Sequence, residues 1–117
     1  MDNNENFAGK RSQNFAVRIV NLYKYLTEEK NEYVMSKQIL RSGTSIGANL
    51  AEAEYAQSKA DFYSKAGISL KEAAETGYWL RLLNQTGYIE EKQYESLTSD
   101  LEPIIKILVK TIKTKGI

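Results

Sequence analysis

The sequence YESLTSDLEPIIKILVKTI, residues 94–112, has apolar side chains at intervals of three or four residues. These intervals place side chains on one face of an α-helix and approach a heptad repeat. The apolar set is Tyr94, Leu97, Leu101, Ile104, Leu108 and Ile112. We expect the helix to begin near Glu90, because acidic side chains favour a helix N-terminus, and Pro103 to kink it or begin a new segment.

The preceding segment, between Ser58 and Gly87, also predicts a helix. Ser58 followed three residues later by Asp61 is typical of a capping box, and Gly87 in the turn QTGYI is expected to end the helix. Two adjacent stripes of residues predict that this helix buries a wider face than a simple surface helix does. One contains Phe62, Ala66, Ser69, Ala73, Gly77, Leu80 and Asn84, and the other contains Ile68, Trp79 and Leu82.

A further helix is predicted from about Asn31, although part of it resembles a loop. The run from Ser42 to Gly47 is rich in glycine, serine and threonine, which usually indicates a turn. We favour a continuous helix, because the apolar and small residues keep their phase across the run, and a break at Gly43 is the alternative. The stripe is Met35, Ile39, Ser42, Ile46, Asn49 and Ala53.

The first predicted helix has Ser12 as its N-cap and ends at the polar run 27–32. Its buried face is predicted to contain Phe15, Ile19, Leu22 and Leu26. Residues 1–11 are polar and rich in asparagine, so they are expected to form a flexible tail. Four helices with short connections predict an all-α protein: an antiparallel up-and-down four-helix bundle, a single domain over residues 12–117.

The residue types that are absent exclude several kinds of chemistry. The 117 residues include neither histidine nor cysteine, which rules out Ser-His-Asp and Cys-His catalysis and the common zinc sites. There is also no glycine-rich loop that would bind nucleotide phosphates. We therefore expect no enzymatic activity, metal or cofactor. A carboxylate-based enzyme using Glu52 and Glu72 is the alternative left open.

The apolar stretches, the N-terminus and the net charge together bear on where the protein is located and on what it binds. No apolar stretch approaches the ~20 residues that span a bilayer, and the N-terminus lacks an apolar signal-peptide core. We expect a cytoplasmic protein that does not bind membranes. The formal net charge is +1, so the charge of the whole chain does not favour nucleic-acid binding.

Two local constellations are candidates for function. Asn49 with Glu52, and Ser69 with Glu72, each share a helical face, and antiparallel neighbours could bring the pairs together. A hydrogen-bonded polar layer that sets the helix register is the favoured interpretation, and a hydrolytic or metal site is the alternative. The layer, including Ser45, is a predicted structural polar motif.

The second constellation is a lysine stripe near the C-terminus. No acidic residue follows Pro103, and the lysines there are Lys106, Lys110, Lys113 and Lys115. They could contact the phosphates of a nucleic acid, or they could simply complement the dipole at a helix C-terminus. Eight tyrosines, three phenylalanines and one tryptophan are many for this length, which favours covering of some apolar surface by another subunit.

Residues 38–52, QILRSGTSIGANLAE, resemble the signature of the four-helix-bundle family encoded by intervening sequences of bacterial large-subunit rRNA genes. Ala53 stands where that family usually has glycine, and Gly47 where it often has proline. Over residues 12–113 the matching positions are Gln38, Arg41, Ser45, Ile46, Ala48, Asn49, Ala51, Glu52, Ser58, Phe62, Ala66, Ser69, Glu72 and the turn Thr86–Gly87–Tyr88.

The resemblance implies a left-handed up-and-down bundle that assembles as a homopentameric ring. The chain is also similar to the accessory variability protein of diversity-generating retroelements, a basic pentamer that binds nucleic acid and a reverse transcriptase. The family has no established enzymatic activity, and the matched polar residues are interpreted as structural. The resulting hypothesis is a homo-oligomeric binding protein for RNA or a nucleic-acid-handling partner. A protein-interaction scaffold without nucleic-acid binding is the alternative.

Overall fold

The computed structural model describes residues 3–114, with side chains from residue 8 onward. Over this range there are four helices and no strand: α1 (Asn3–Glu28), α2 (Met35–Ala53), α3 (Lys59–Gln85) and α4 (Glu91–Lys113). Each helix packs against the next, and α4 returns to pack against α1. The result is an elongated body of 45 × 21 × 19 Å, and the predicted all-α four-helix bundle is confirmed.

One continuous apolar core lies along the axis of the bundle, because each helix turns its apolar stripe inward. The stripe predicted for the first helix is fully buried, and so is the centre of the stripe predicted for the fourth. The largest fully buried side chains are Phe15, Ile19, Leu26, Ile39, Ile46, Leu80, Leu83, Ile104 and Leu108. In α3 only one of the two predicted stripes is buried, since Ile68 remains 39% exposed.

The predicted ends of α3 and the predicted start of α4 are confirmed. Ser58 Oγ accepts a hydrogen bond from the Asp61 amide at 3.0 Å, which satisfies one of the unpaired donors of the first turn. Gly87 has a φ of +84°, a conformation that favours glycine after a helix C-terminus. The Glu90 amide donates to the Gln93 side chain at 3.0 Å, immediately before α4.

Helix α1 begins at Asn3, so the predicted N-cap at Ser12 and the predicted tail over residues 3–11 are wrong as secondary structure. The helical spacing of the buried residues explains this earlier start. Ala8 and Ser12 are both buried and extend the stripe of Phe15 toward the N-terminus at intervals of four and three residues. Alanine and serine contribute little hydrophobicity, so the polar composition hid this turn of the core. Residues 1 and 2 lie outside the described range.

Helix α2 begins at Met35, four residues later than predicted, because Glu32 caps it from outside. Asn31 has a positive φ of 54°, which turns the chain, and the buried Glu32 carboxylate then accepts from three successive amides. The distances are 3.2 Å from Val34, 3.1 Å from Met35 and 2.7 Å from Ser36. A carboxylate placed there satisfies the exposed amides of a helix N-terminus and complements its dipole.

Helix α2 is continuous through the glycine-containing run, as favoured from its phase. Gly43 is buried against α1, and a Cβ added to it would lie 2.8 Å from the side chain of Ile19. The small residue therefore serves a close approach of two helices. Helix α4 also runs unbroken through Pro103, so no new segment begins there. Leu101 and Ile104 on either side are buried in the core and retain the helical phase.

Candidate functional site

The seam between α2 and α3 carries a series of polar contacts along the bundle. At its centre the buried Ser69 hydroxyl donates to the Ile46 carbonyl at 2.8 Å. One step further along, the Thr76 and Ser42 hydroxyls are 2.9 Å apart, and both side chains are buried. Both hydrogen bonds are donated by hydroxyls of small side chains, so the two helices approach closely without an unsatisfied polar group at these positions.

The predicted polar motif is spread along this seam, and its two pairs do not meet in one layer. Glu52 pairs with Lys65 at 2.9 Å at one end, whereas Glu72 pairs with Arg41 at 3.0 Å toward the other. Because α2 and α3 are antiparallel, positions toward the C-terminus of one helix lie beside positions toward the N-terminus of the other. Asn49 and Glu52, near the end of α2, are therefore displaced along the seam from Ser69 and Glu72 of α3.

The remaining members of the motif bind the backbone of their own helix. Ser45 Oγ donates to the Arg41 carbonyl at 2.6 Å, and Asn49 Nδ2 donates to the Ser45 carbonyl at 2.8 Å. Such bonds from serine and asparagine to the preceding turn occupy the side chain locally. Only Ser69 of the five carries a buried hydrogen bond between helices. A structural role for the motif stays a prediction.

An ionic cluster centred on Arg41 lies at the edge of the seam. Its guanidinium pairs with Glu72 and with Glu75, and Glu75 also accepts a hydrogen bond from the Trp79 indole at 3.0 Å. The indole hydrogen bond and the guanidinium lower the pKa of Glu75, and the bond to Glu75 raises the pKa of Arg41. Sequence reasoning did not identify Glu75, although its spacing of four from Trp79 places both on one face of α3.

The predicted lysine stripe lies on the outer face of α4. Lys106, Lys110 and Lys113 are exposed and line a shallow groove with Ile105, Val109 and Thr114. None of the three forms a salt bridge with any residue between 8 and 114. The three ammonium groups are therefore available to an anion. Lys115, the fourth predicted member, lies outside the described residues.

Two outer helix faces expose apolar side chains. On α1 these are Val17, 53% exposed, and Val20, 37% exposed, while α3 presents Ile68 and the 49%-exposed Tyr78. The Tyr78 ring packs edge-to-face on Trp79 at 5.0 Å. Since α1 and α3 each pack against both α2 and α4, they occupy diagonal positions in the bundle, and their outer faces point to opposite sides.

No helix between residues 3 and 114 is long and apolar enough to cross a membrane. Over the side chains that the structure describes, no group of acidic residues is arranged to hold a metal ion.

Comparison with known proteins places the chain in a family. No curated protein matches it. A crystal structure from Bacteroides thetaiotaomicron, of a protein of unknown function from the S23 ribosomal protein family, is 60% identical with a TM-score of 0.92. The alignment covers 94% of this chain and 98% of that one. The profile described as 23S rRNA-intervening sequence protein matches residues 5–110, and the chain therefore belongs to that family.

Proposed function

We propose that the protein is a non-enzymatic, homo-oligomeric ring that binds RNA through the lysine stripe of α4. The observation that carries the proposal is the exposure of Lys106, Lys110 and Lys113 on one helix face with no acidic partner between residues 8 and 114. Seven residues of helix span about 10 Å, so the three ammonium groups can follow successive phosphates of one strand. We propose a cytoplasmic location as part of the same hypothesis.

Repetition around a ring compensates for the near-neutral chain. A net charge of +1 gives little long-range attraction for a polyanion. In a homo-oligomer the lysine stripe occurs once per subunit, so a single RNA can contact several stripes at once. Multivalent contact raises the apparent affinity by about 100-fold or more when the sites can be engaged together. A pentamer, as the resemblance implies, would present five stripes.

The apolar faces of α1 and α3 support a ring. They point to opposite sides of the subunit, so one face of a molecule can dock on the other face of the next. Head-to-tail contacts of this kind close into rings when the rotation between successive subunits permits, whereas a two-fold dimer uses the same patch on both partners. The exposed valines of α1 and Ile68 of α3 would be covered by this contact.

The state of the acidic side chains supports a role without catalysis. Glu52 and Glu72, the carboxylates considered for an enzyme, are each held in an ion pair on the surface of the α2–α3 seam. General acid–base catalysis by two carboxylates needs their pKa values driven apart in a shared site. Here they belong to separate contacts along the seam.

The test measures binding of a fluorescent structured RNA at low and high salt, together with light-scattering mass. The native protein should bind at low salt and weaken as salt is added, because phosphate contacts release counterions. The triple variant Lys106→Glu, Lys110→Glu, Lys113→Glu should lose at least ~10-fold in affinity. No binding by the native protein at low salt would contradict the proposal.

The matched control changes the same charge on other faces of the bundle. Lys24, Lys37 and Lys71 are exposed on α1, α2 and α3 and form no salt bridge among the described side chains. The triple variant Lys24→Glu, Lys37→Glu, Lys71→Glu has the same net charge as the α4 variant. Equal loss in both variants would assign the binding to bulk charge and remove the stripe from the proposal.

A protein-interaction scaffold without RNA binding is the second candidate. The observation that favours it is the Tyr78–Trp79 pair beside the Arg41 cluster, since aromatic and arginine side chains dominate protein interfaces. A ring that ignores RNA but retains one protein partner after nuclease treatment would support this function. Loss of that partner in Tyr78→Ala, with the ring intact, would assign the contact to α3.

A further inference from the structure

One end of the bundle contains a partly enclosed cavity of about 300 Å³. All four helices line it: the N-terminal part of α1, the end of α2, the start of α3 and the last turns of α4. Its larger lining side chains include Leu50, Phe62 and Ile107, and its smaller lining residues include Gly9 and Ala51. The cavity is separate from the groove beside the α4 lysines.

The cavity exists because small residues occupy this end of the core. Gly9 lines it from α1, where an added Cβ would meet nothing within 4 Å, and Ala51 and Ala53 line it from α2. The opposite end of the core is filled by larger side chains, among them Leu26 and Leu83. The cavity is therefore confined to one end of the bundle, and exposed residues at its rim leave it open to solvent.

The lining specifies the chemistry of an occupant. The walls are apolar, with Phe62, Leu50 and Leu108 as their largest side chains. Two charged groups of opposite sign, Lys10 and Glu54, lie at the exposed rim, so their charges offset each other and favour neither an anion nor a cation. An apolar cavity of about 150 Å³ already accepts a single benzene ring, so this one has room for a larger molecule.

We propose that this end of the bundle is a binding site for a neutral, mostly apolar small molecule of one or two rings. The ring system fills the space between the four helices, and a single polar group lies at the rim near Lys10 and Glu54. The volume is at the lower limit of known ligand pockets, which excludes nucleotides and other large polar ligands. The site is independent of RNA binding by α4.

The test uses indole as the probe and follows backbone amides by two-dimensional NMR. Saturable shifts confined to cavity-lining residues such as Leu50 and Phe62 are expected, together with a rise in melting temperature. The native protein failing to bind up to the solubility limit of indole would overturn the proposal.

A matched pair of variants on α2 tests the position of the site. Ala51 is exposed at the rim of the cavity, and Ala48 on the same helix is exposed outside it. Ala51→Phe should block the rim and weaken indole binding at least ~10-fold, which corresponds to about 1.4 kcal/mol, whereas Ala48→Phe should leave it within twofold of the native value. Equal binding by both variants would overturn the site.

Discussion

At the scale of single residues, Gly43 and Gly67 have opposite environments although both lie inside helices. A Cβ at Gly43 would meet the Ile19 side chain at 2.8 Å, and a Cβ at Gly67 would meet nothing within 4 Å. Gly43→Ala should therefore destabilise the bundle by about 1–3 kcal/mol through overpacking. Gly67→Ala should stabilise it by up to about 1 kcal/mol through helix propensity. Urea unfolding measures both, and stabilisation by both would contradict the close approach of α1 and α2.

Glu32 is the second residue whose role is set by its position. Its buried carboxylate accepts from three amides at the start of α2, so Glu32→Ala should cost about 1–3 kcal/mol. Glu29 is exposed in the same connection and serves as the control, because its removal should change stability by less than about 0.5 kcal/mol. Thermal unfolding of the two variants would show the difference. Equal losses would mean that the cap contributes nothing.

At the scale of helices, the Arg41 cluster links α2 to α3 and makes their contact pH-dependent. The pKa of Glu75 is lowered, first by the Trp79 hydrogen bond and then by Arg41. A lowered carboxyl pKa means that its contribution is present above the ordinary value of 4.5 and is lost as pH falls through the lower folded-state pKa. The contribution is modest, because Glu75 is 36% exposed and solvent screens the pair.

The corresponding prediction concerns acid unfolding. Glu75→Gln should lower stability near neutral pH and should lose less stability than the native protein as the pH falls below 4.5. Glu95→Gln is the control, since Glu95 is exposed and forms no ion pair with the described part of the chain. Denaturant unfolding at several pH values measures the curves. If the free energy of unfolding varied with pH in the same way in the native protein and in Glu75→Gln, the pH dependence assigned to this cluster would be wrong.

At the scale of the whole molecule, the exposed faces of α1 and α3 predict how subunits join. Val17→Lys and Ile68→Lys each place a charge in one of the two faces, so each variant alone should fail to form a ring. A mixture of the two should form a dimer, because each molecule retains one intact face. Light-scattering mass would distinguish these states, with Val34→Lys as the control in an exposed connection. Native-sized rings from both single variants would contradict the head-to-tail contact.

Much of the fold could be predicted because helix phase is a local property. The burial of Phe15, Ile19 and Leu26 follows from their spacing, and so does the continuity of α2 through Gly43. Capping at Ser58 and the turn at Gly87 involve residues only a few positions apart, so their chemistry is visible in the sequence. The start of α1 was missed because alanine and serine at positions 8 and 12 carry too weak a hydrophobic signal.

The sequence by itself therefore determined the fold class, the number of helices, the core stripes and the absence of histidine and cysteine chemistry. Only the tertiary structure decided which groups meet across helices. The antiparallel register separates Glu52 from Glu72 and brings Glu75 to Arg41, and segments of all four helices together line the cavity beside Phe62. Spacing along a chain sets the face on which a side chain lies, but the relative translation of packed helices sets its partner, and that translation depends on packing over the whole interface.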